Sequence, residues 1–189
     1  MSTPILRGSL VRLGAPNPET DAKAIAAWSR HSEFLQMLEM GAPRPWTAQS
    51  TKTEMLEMQD LEKTRDKQYP FVIRALDGDR LIGFTDLEIP NGSQRNAWLA
   101  IGISQPEDWG RGYGTDAVRV LLRYAFAELN LDRVMLNVFA YNERAQRSYL
   151  KVGFKIEGRE RERLRRGARR YDLIHMAVLR DEWQSPESL

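Results

Sequence analysis

Seven consecutive residues, Trp109-Gly110-Arg111-Gly112-Tyr113-Gly114-Thr115, carry the clearest chemical signal in this chain of 189 residues. Three glycines at alternate positions each give up about 0.5–1 kcal/mol of backbone entropy relative to alanine, and in return let the main chain approach a bound group closely. An apolar stripe follows at helical spacing, so the N–H groups of the turn sit at a helix N-terminus. Such donors form a concave anion site, suited to a phosphate or pyrophosphate. A tight strand-to-helix connection uses the same glycines, and spacing alone leaves both readings open.

Other residue groups bound the chemistry. Asp86 and Glu88 alternate along an apolar segment, which puts both acids on one strand face to collect protons, bind a cation or face solvent. Arg159, Arg161, Arg163, Arg165, Arg166, Arg169 and Arg170 interleave with Glu160 and Glu162, as a solvated hairpin or as a basic wall that steers an anionic partner. There is no cysteine, which excludes disulfides, thiolate metal ligands and a cysteine nucleophile. With only two histidines, a multi-histidine metal site within the chain is excluded too, and no metal is expected. His175, in an apolar run, reads as a packed strand residue, and His31 as a surface or pocket-rim residue. Twenty-eight basic against 26 acidic residues leave a net charge of +2, which argues against nucleic acid as the main partner. No apolar run approaches the ~18 residues of a membrane span and no signal peptide is evident, so a cytoplasmic protein without a membrane partner is expected.

The elements that position these residues follow from periodicity. Residues 5–13 read as a first strand; Asn17 as an N-cap, with Pro18 at the first helical position, opens a helix through Ala22 and Trp28. Residues 29–46 are mixed in pattern: their apolar side chains belong to the core, or Phe34, Met37 and Trp46 line a binding pocket. A second helix spans 47–61, capped by Thr47, with Met55, Met58 and Leu61 along one face. Strands at 70–75, 81–89 and 97–103, with turns at Asp77-Gly78 and Asn91-Gly92, predict an antiparallel meander. Ala117, Val118, Leu121, Leu122, Ala125, Phe126 and Leu129 predict about four helical turns after the glycines. A strand at 133–139 follows, then a helix capped by Asn142 and closed at Gly153. Strands at 154–162 and 170–179, turning near Gly167, end the chain in a long hairpin, and residues 184–189 are expected to fray. One domain of residues 1–189 is expected, and the exposed hairpin leaves room for a homodimer.

This order of elements resembles the GNAT superfamily of acetyl-CoA-dependent N-acetyltransferases. Gly112 and Gly114 match the small positions of the family's Gln/Arg-x-x-Gly-x-Gly/Ala turn, with Trp109 departing from its first position. Trp-Gly-Arg-Gly-Tyr-Gly is similar to the ribosomal-protein N-terminal acetyltransferase branch. Asn142-Glu143-Arg144-Ala145 and Tyr149-Leu150-Lys151-Val152-Gly153-Phe154 look like the family's Asn-x-x-Ala and Tyr-x-x-x-Gly-Phe elements, and with Glu157-Gly158 they are also similar to bacterial spermidine acetyltransferases. The match is good over about residues 81–183 and holds only in outline before them. It implies an α/β (α+β) fold with a mixed, mostly antiparallel sheet of about seven strands flanked by helices.

The resemblance further implies acetyl-CoA as co-substrate and an amine acceptor, with direct attack in a ternary complex. The amides of residues 110–115 would cradle the pyrophosphate, with Trp109 in the same turn. The strand edge Ile101, Ile103 and Ser104 would take the pantetheine arm, and its N–H groups would polarise the thioester carbonyl. Arg111 would face a CoA phosphate or solvent, and Asn137 and Asn142 are further candidates for a cofactor contact. Tyr149, whose ordinary pKa is near 10, would protonate the leaving thiolate. Many relatives carry a glutamate on the strand before the glycine turn, but residues 97–103 have none, so Asp86 and Glu88 are the candidate bases. A weak base suits an α-amine better than a lysine-like amine, by about 2.5 pKa units or roughly 3.5 kcal/mol. A protein or peptide N-terminus is therefore the expected acceptor. A polyamine or other small amine is the alternative, as is a non-catalytic acyl-CoA-binding module.

Overall fold

The computed structural model describes residues 4–42, 44–60, 67–90 and 94–183. Alternation of side chains organises it. In β2 (Lys67–Ala75), Phe71, Ile73 and Ala75 enter one apolar cluster and Val72 enters another, so the sheet is buried on both faces. Seven strands form that sheet in the order β1-β2-β3-β4-β5-β7-β6: β1 (Val11–Gly14), β2, β3 (Leu81–Ile89), β4 (Asn96–Ile103), β5 (Arg133–Phe139), β6 (Lys155–Arg166) and β7 (Arg169–Leu179). Every neighbouring pair is antiparallel except β4 and β5.

On the back face, α4 (Tyr113–Arg123) and α5 (Glu143–Lys151) pack Val118, Leu121, Leu122 and Tyr149 against Leu99, Leu136 and Ile174. On the front face, α1 (Ala22–Trp28), α2 (Ser32–Leu38) and α3 (Ala48–Gln59) gather Ile25, Trp28, Phe34, Leu35 and Met55 over Val72 and Phe84. The sequence expectation of a mostly antiparallel seven-stranded sheet with flanking helices holds.

Several boundaries differ, each for a local reason. The expected first strand at 5–13 shrinks to Val11–Gly14, because the chain doubles back: the Leu13 amide donates to Leu6 and the Gly8 amide to Val11. Leu10 is left 41% exposed at the bend. Asn17 caps a turn rather than the helix, its Oδ1 accepting from the Glu19 and Thr20 amides. Asp21 takes the N-cap position of α1, its carboxylate accepting from the Asn17 amide (2.9 Å) and from Arg74 (2.7 Å). Thr47 caps α3 as expected, in a reciprocal box with Ser50. Regular α4 gives way at Tyr124–Glu128 to one wide π turn, closed by the Leu129 amide on the Tyr124 carbonyl. The closing hairpin runs further than expected, to Arg166. Register shifts between Ile156 and Gly158 and between Glu160 and Leu164 break the side-chain alternation along the arginine run. Leu61, the Asn91-Gly92 turn and residues 184–189 lie outside the described residues.

One carboxylate joins the N-terminal bend to α4. Asp116, in the helix's first turn, accepts from the amides of Ser9 (3.2 Å), Leu10 (2.7 Å) and Val11 (3.0 Å). Gly8 is required there, since a Cβ would lie 2.3 Å from the Asp116 carboxylate. Asp116→Ala leaves three amides without their charged acceptor and should cost about 2–4 kcal/mol, read as a lower urea midpoint at unchanged slope.

Candidate active site

The cleft follows from the one parallel pair. β4 and β5 bond only over Asn96–Trp98 and Arg133–Met135 before they part, and helices cover both faces of the gap. The opening is a cavity of about 830 Å³, lined by residues 98–103 of β4 and 137–139 of β5. The phase of the β3–β4 ladder decides what the gap exposes. The Ser104 amide donates to the Ile82 carbonyl (2.9 Å), so even-numbered residues of β4 bond towards β3. Ile101 and Ile103 therefore turn their main-chain groups into the cleft.

The glycine turn closes one end. Gly110 and Gly112 have φ of +75° and +89°, a region that favours glycine, and α4 begins immediately after Gly112. Gly112 offers no side-chain cap, so the first-turn amides of α4 retain their donors beside the cavity. Two contacts fix the turn. The Trp109 indole N–H donates to the Ile103 carbonyl (2.7 Å), and the Arg144 guanidinium of α5 lies 3.9 Å from the Trp109 ring centre. Burial lowers the Arg144 pKa. Beneath them Asp108, almost wholly buried, receives both Nη atoms of Arg80 (2.8 and 2.7 Å), a bond that holds its carboxyl below the usual range.

Of the residues singled out from sequence, Ile101, Ile103, Trp109, Gly110, Gly112, Tyr113, Gly114, Thr115, Asn137, Asn142 and Tyr149 all line this cavity. Asn142 also caps α5, its Oδ1 accepting from the Ala145 amide (3.2 Å). Arg111 lies outside the lining, its guanidinium 3.9 Å from Asp108 and 5.4 Å from the Tyr113 ring centre. Ser104 also lies outside: it is buried, and its Oγ has no partner among the described residues. Phe34 and Met37 form part of the front wall as the pocket reading expects. Trp46 instead packs in the front cluster and donates to Glu39 (3.0 Å). His31 is exposed at the start of α2, and His175 is half-buried rather than packed, with Nε2 2.7 Å from Glu160 Oε1.

Tyr149 is buried, and burial alone pushes its hydroxyl pKa up to about 12. It stays protonated at any physiological pH. Asp86 and Glu88 lie one strand from the cavity, opposite Ala100 and Trp98. Burial first, then the charges of Glu88 and Glu54, push the Asp86 carboxyl up to about 7.

Sequence reasoning missed the basic and hydroxyl groups of α5. Arg144, Arg147, Ser148 and Lys151 line the cavity at helical spacing, and Ser148 exchanges a hydrogen bond with Thr115. Their i, i+3, i+4, i+7 pattern marks one face of the helix, but which face meets the cleft depends on packing. With apolar walls, a basic helix face and open amides at both the strand edge and the helix N-terminus, the cavity suits a long anionic ligand carrying a carbonyl group.

Residues 11–155 match the family model described as an acetyltransferase (GNAT) domain. YjcK of Bacillus subtilis, whose name describes an N-acetyltransferase, is 32% identical over 158 residues, 82% of this chain and 85% of that protein. YdaF of the same organism, whose name describes a ribosomal N-acetyltransferase, is 33% identical over 104 residues, 55% of this chain and 56% of that protein. The crystal structure of spermidine N-acetyltransferase from Vibrio cholerae, with CoA and spermine, superposes at a TM-score of 0.76 and 24% identity, covering 91% of this chain and 96% of that one.

The raised pKa of Asp86 fixes a sign for stability. The folded state holds this proton more tightly than the unfolded chain, so stability is full below about pH 4 and is lost as pH rises towards 7. Asp86→Asn removes that loss. Its stability relative to the parent should rise by about 2–3 kcal/mol between pH 5 and pH 8 in urea titrations, whereas parallel curves would show an ordinary carboxyl.

Proposed function

The chain belongs to the GNAT acetyltransferase family, and from that premise we propose that its acceptor is the α-amine of a protein or peptide, attacking directly within a ternary complex. The enzyme is an acetyl-CoA-dependent N-acetyltransferase. The observation that carries the choice of acceptor is the cavity lining. Phe34, Met37, Leu38 and Met40 make its front wall, and among the described lining residues the one carboxylate is Asp108, already held by Arg80. A polycation finds no free acid there, whereas an N-terminal residue with an apolar side chain finds a matching wall.

Acetyl-CoA supplies a thioester carbonyl to the cleft. The first-turn amides of α4 and the basic face of α5 hold its phosphates. The open N–H groups of Ile101 and Ile103 bind the pantetheine arm and polarise the carbonyl. An α-ammonium with a pKa near 7.7–8 lies within about one unit of Asp86, so the carboxylate takes up its proton through solvent at little cost. Glu88 assists by keeping the Asp86 pKa high. Tyr149 donates its proton to the departing thiolate and regains one from the attacking nitrogen, which sheds its extra proton as the amide forms.

One observation favours a polyamine instead. Glu88 and Glu54 are close enough for their charges to act on Asp86, and the Vibrio cholerae fold relative is in complex with spermine. The two readings separate in a thiol-release assay with acetyl-CoA. Peptides with a free apolar N-terminal residue should exceed spermidine in kcat/KM by at least about tenfold, and the reverse order would transfer the proposal to polyamines. In the same assay Tyr149→Phe should lower kcat by about 10²–10⁴ while acetyl-CoA affinity, measured by titration calorimetry, stays within a few-fold. A fully active variant would remove Tyr149 from the mechanism.

A further inference from the structure

The front wall of the cleft hangs on one side chain from the far end of the sheet. α2 supplies Phe34, Met37 and Leu38 to the cavity, and Met40 follows in the segment after it. The helix has two turns, so its last carbonyls need partners from elsewhere. Arg166, at the tip of β6, bonds one of them, that of Gln36, and three more in the segment that follows the helix. Its Nη1 donates to the carbonyls of Met40 (3.3 Å) and Gly41 (3.0 Å), and its Nη2 to those of Gln36 (3.5 Å) and Glu39. Its Nε donates to the Tyr141 hydroxyl (3.3 Å), which in turn donates to the Gln36 carbonyl. All five N–H donors of the guanidinium are thus in use, and its charge sits at the negative end of a helix.

The support of this guanidinium is itself rigid. Tyr141 stacks on Phe139 at 5.4 Å between ring centres and meets Tyr171 edge-on at 4.8 Å. Arg166 lies 5.6 Å from the centre of the Phe139 ring, and Phe139 lines the cavity. From the other side, Trp46 donates its indole N–H to the Glu39 side chain. Glu39 is thus held through its side chain by Trp46 and through its carbonyl by Arg166. Neither Arg166 nor Tyr141 touches the cavity.

We propose that Arg166, supported by Tyr141, is a positioning residue that sets the acceptor wall. By pinning the C-terminal end of α2 it fixes where Phe34, Met37 and Met40 stand over the cleft, and so governs the affinity for the acceptor but not for acetyl-CoA. The proposal rests on the reading above that the acceptor enters on the α2 side. The pyrophosphate turn, β4 and α5 lie outside the clamp, which predicts separate effects on the two substrates.

The test compares Arg166→Met, Arg166→Lys and Tyr141→Phe with the parent enzyme. With a peptide of apolar N-terminus as acceptor, Arg166→Met should raise the acceptor KM by about 10- to 100-fold, while the acetyl-CoA Kd from calorimetry stays within twofold. Arg166→Lys should recover part of the loss, since an ammonium reaches the same carbonyls with fewer donors. Tyr141→Phe should shift KM in the same direction by less. Hydrogen exchange read without any acceptor should quicken at the amides of residues 35–41 in Arg166→Met and stay unchanged at those of 113–128. An unchanged acceptor KM, an equal loss of acetyl-CoA affinity, or unaltered exchange at 35–41 would each overturn the proposal. A parent enzyme that acetylates no peptide would overturn the acceptor reading instead, and exchange at 35–41 still decides whether the clamp holds α2.

Discussion

The short parallel contact between β4 and β5 is the constraint on which the rest depends. Three residues of pairing hold the halves of the sheet together, and the strands then separate within a structure that is otherwise antiparallel. Separation leaves the main-chain N–H groups of Ile101 and Ile103 and the Ile101 carbonyl facing a cavity instead of a neighbouring strand, the Ile103 carbonyl being taken by the Trp109 indole. Such groups are costly to leave unpaired, and a ligand bonding in strand fashion would satisfy them. The large apolar clusters on both faces keep the gap from collapsing.

Around that gap the fold divides its labour by face. The back carries the glycine turn, α4 and α5, where positive φ angles, an uncapped helix N-terminus and cationic side chains suit phosphates. The front carries α1 to α3, with an aromatic cluster in which Trp28, Phe34, Trp46 and Phe84 lie 6.2–6.3 Å apart in successive ring contacts. Gly102 of β4 allows this layer to come close, since a Cβ there would meet the Phe34 ring at 3.2 Å. The two faces thus present chemically different walls to the same strand edge.

Electrostatics reinforces the division. Burial raises both Tyr149 and Asp86, in the direction expected for neutral acids in low dielectric. The consequences differ: the phenol remains a proton donor at every working pH, and the carboxyl is brought near neutrality, where it can exchange a proton. The buried Asp108 is spared this shift by its two bonds to Arg80, which make it an anchor for the turn instead of a titrating group.

Local patterns determined most of the secondary structure and the identity of the cleft. The glycine spacing, the stripe from Ala117 to Phe126, the caps at Thr47 and Asn142 and the alternation in β3 to β5 are short-range signals, legible because they need only neighbouring residues. Folding back, bulging and facing are long-range matters. The shortened β1 depends on Asp116, more than 100 residues away, and the broken alternation of the arginine hairpin depends on bulges against β7. Trp109 in place of the family's Gln or Arg becomes intelligible once its indole is seen to occupy the Ile103 carbonyl under Arg144. Likewise the arginine run, interleaved with Glu160 and Glu162, reads as a solvated hairpin or a basic wall without distinguishing its members, and only packing singles out Arg166, because a side chain's partners at this distance are set by how the sheet brings its last hairpin against the end of α2.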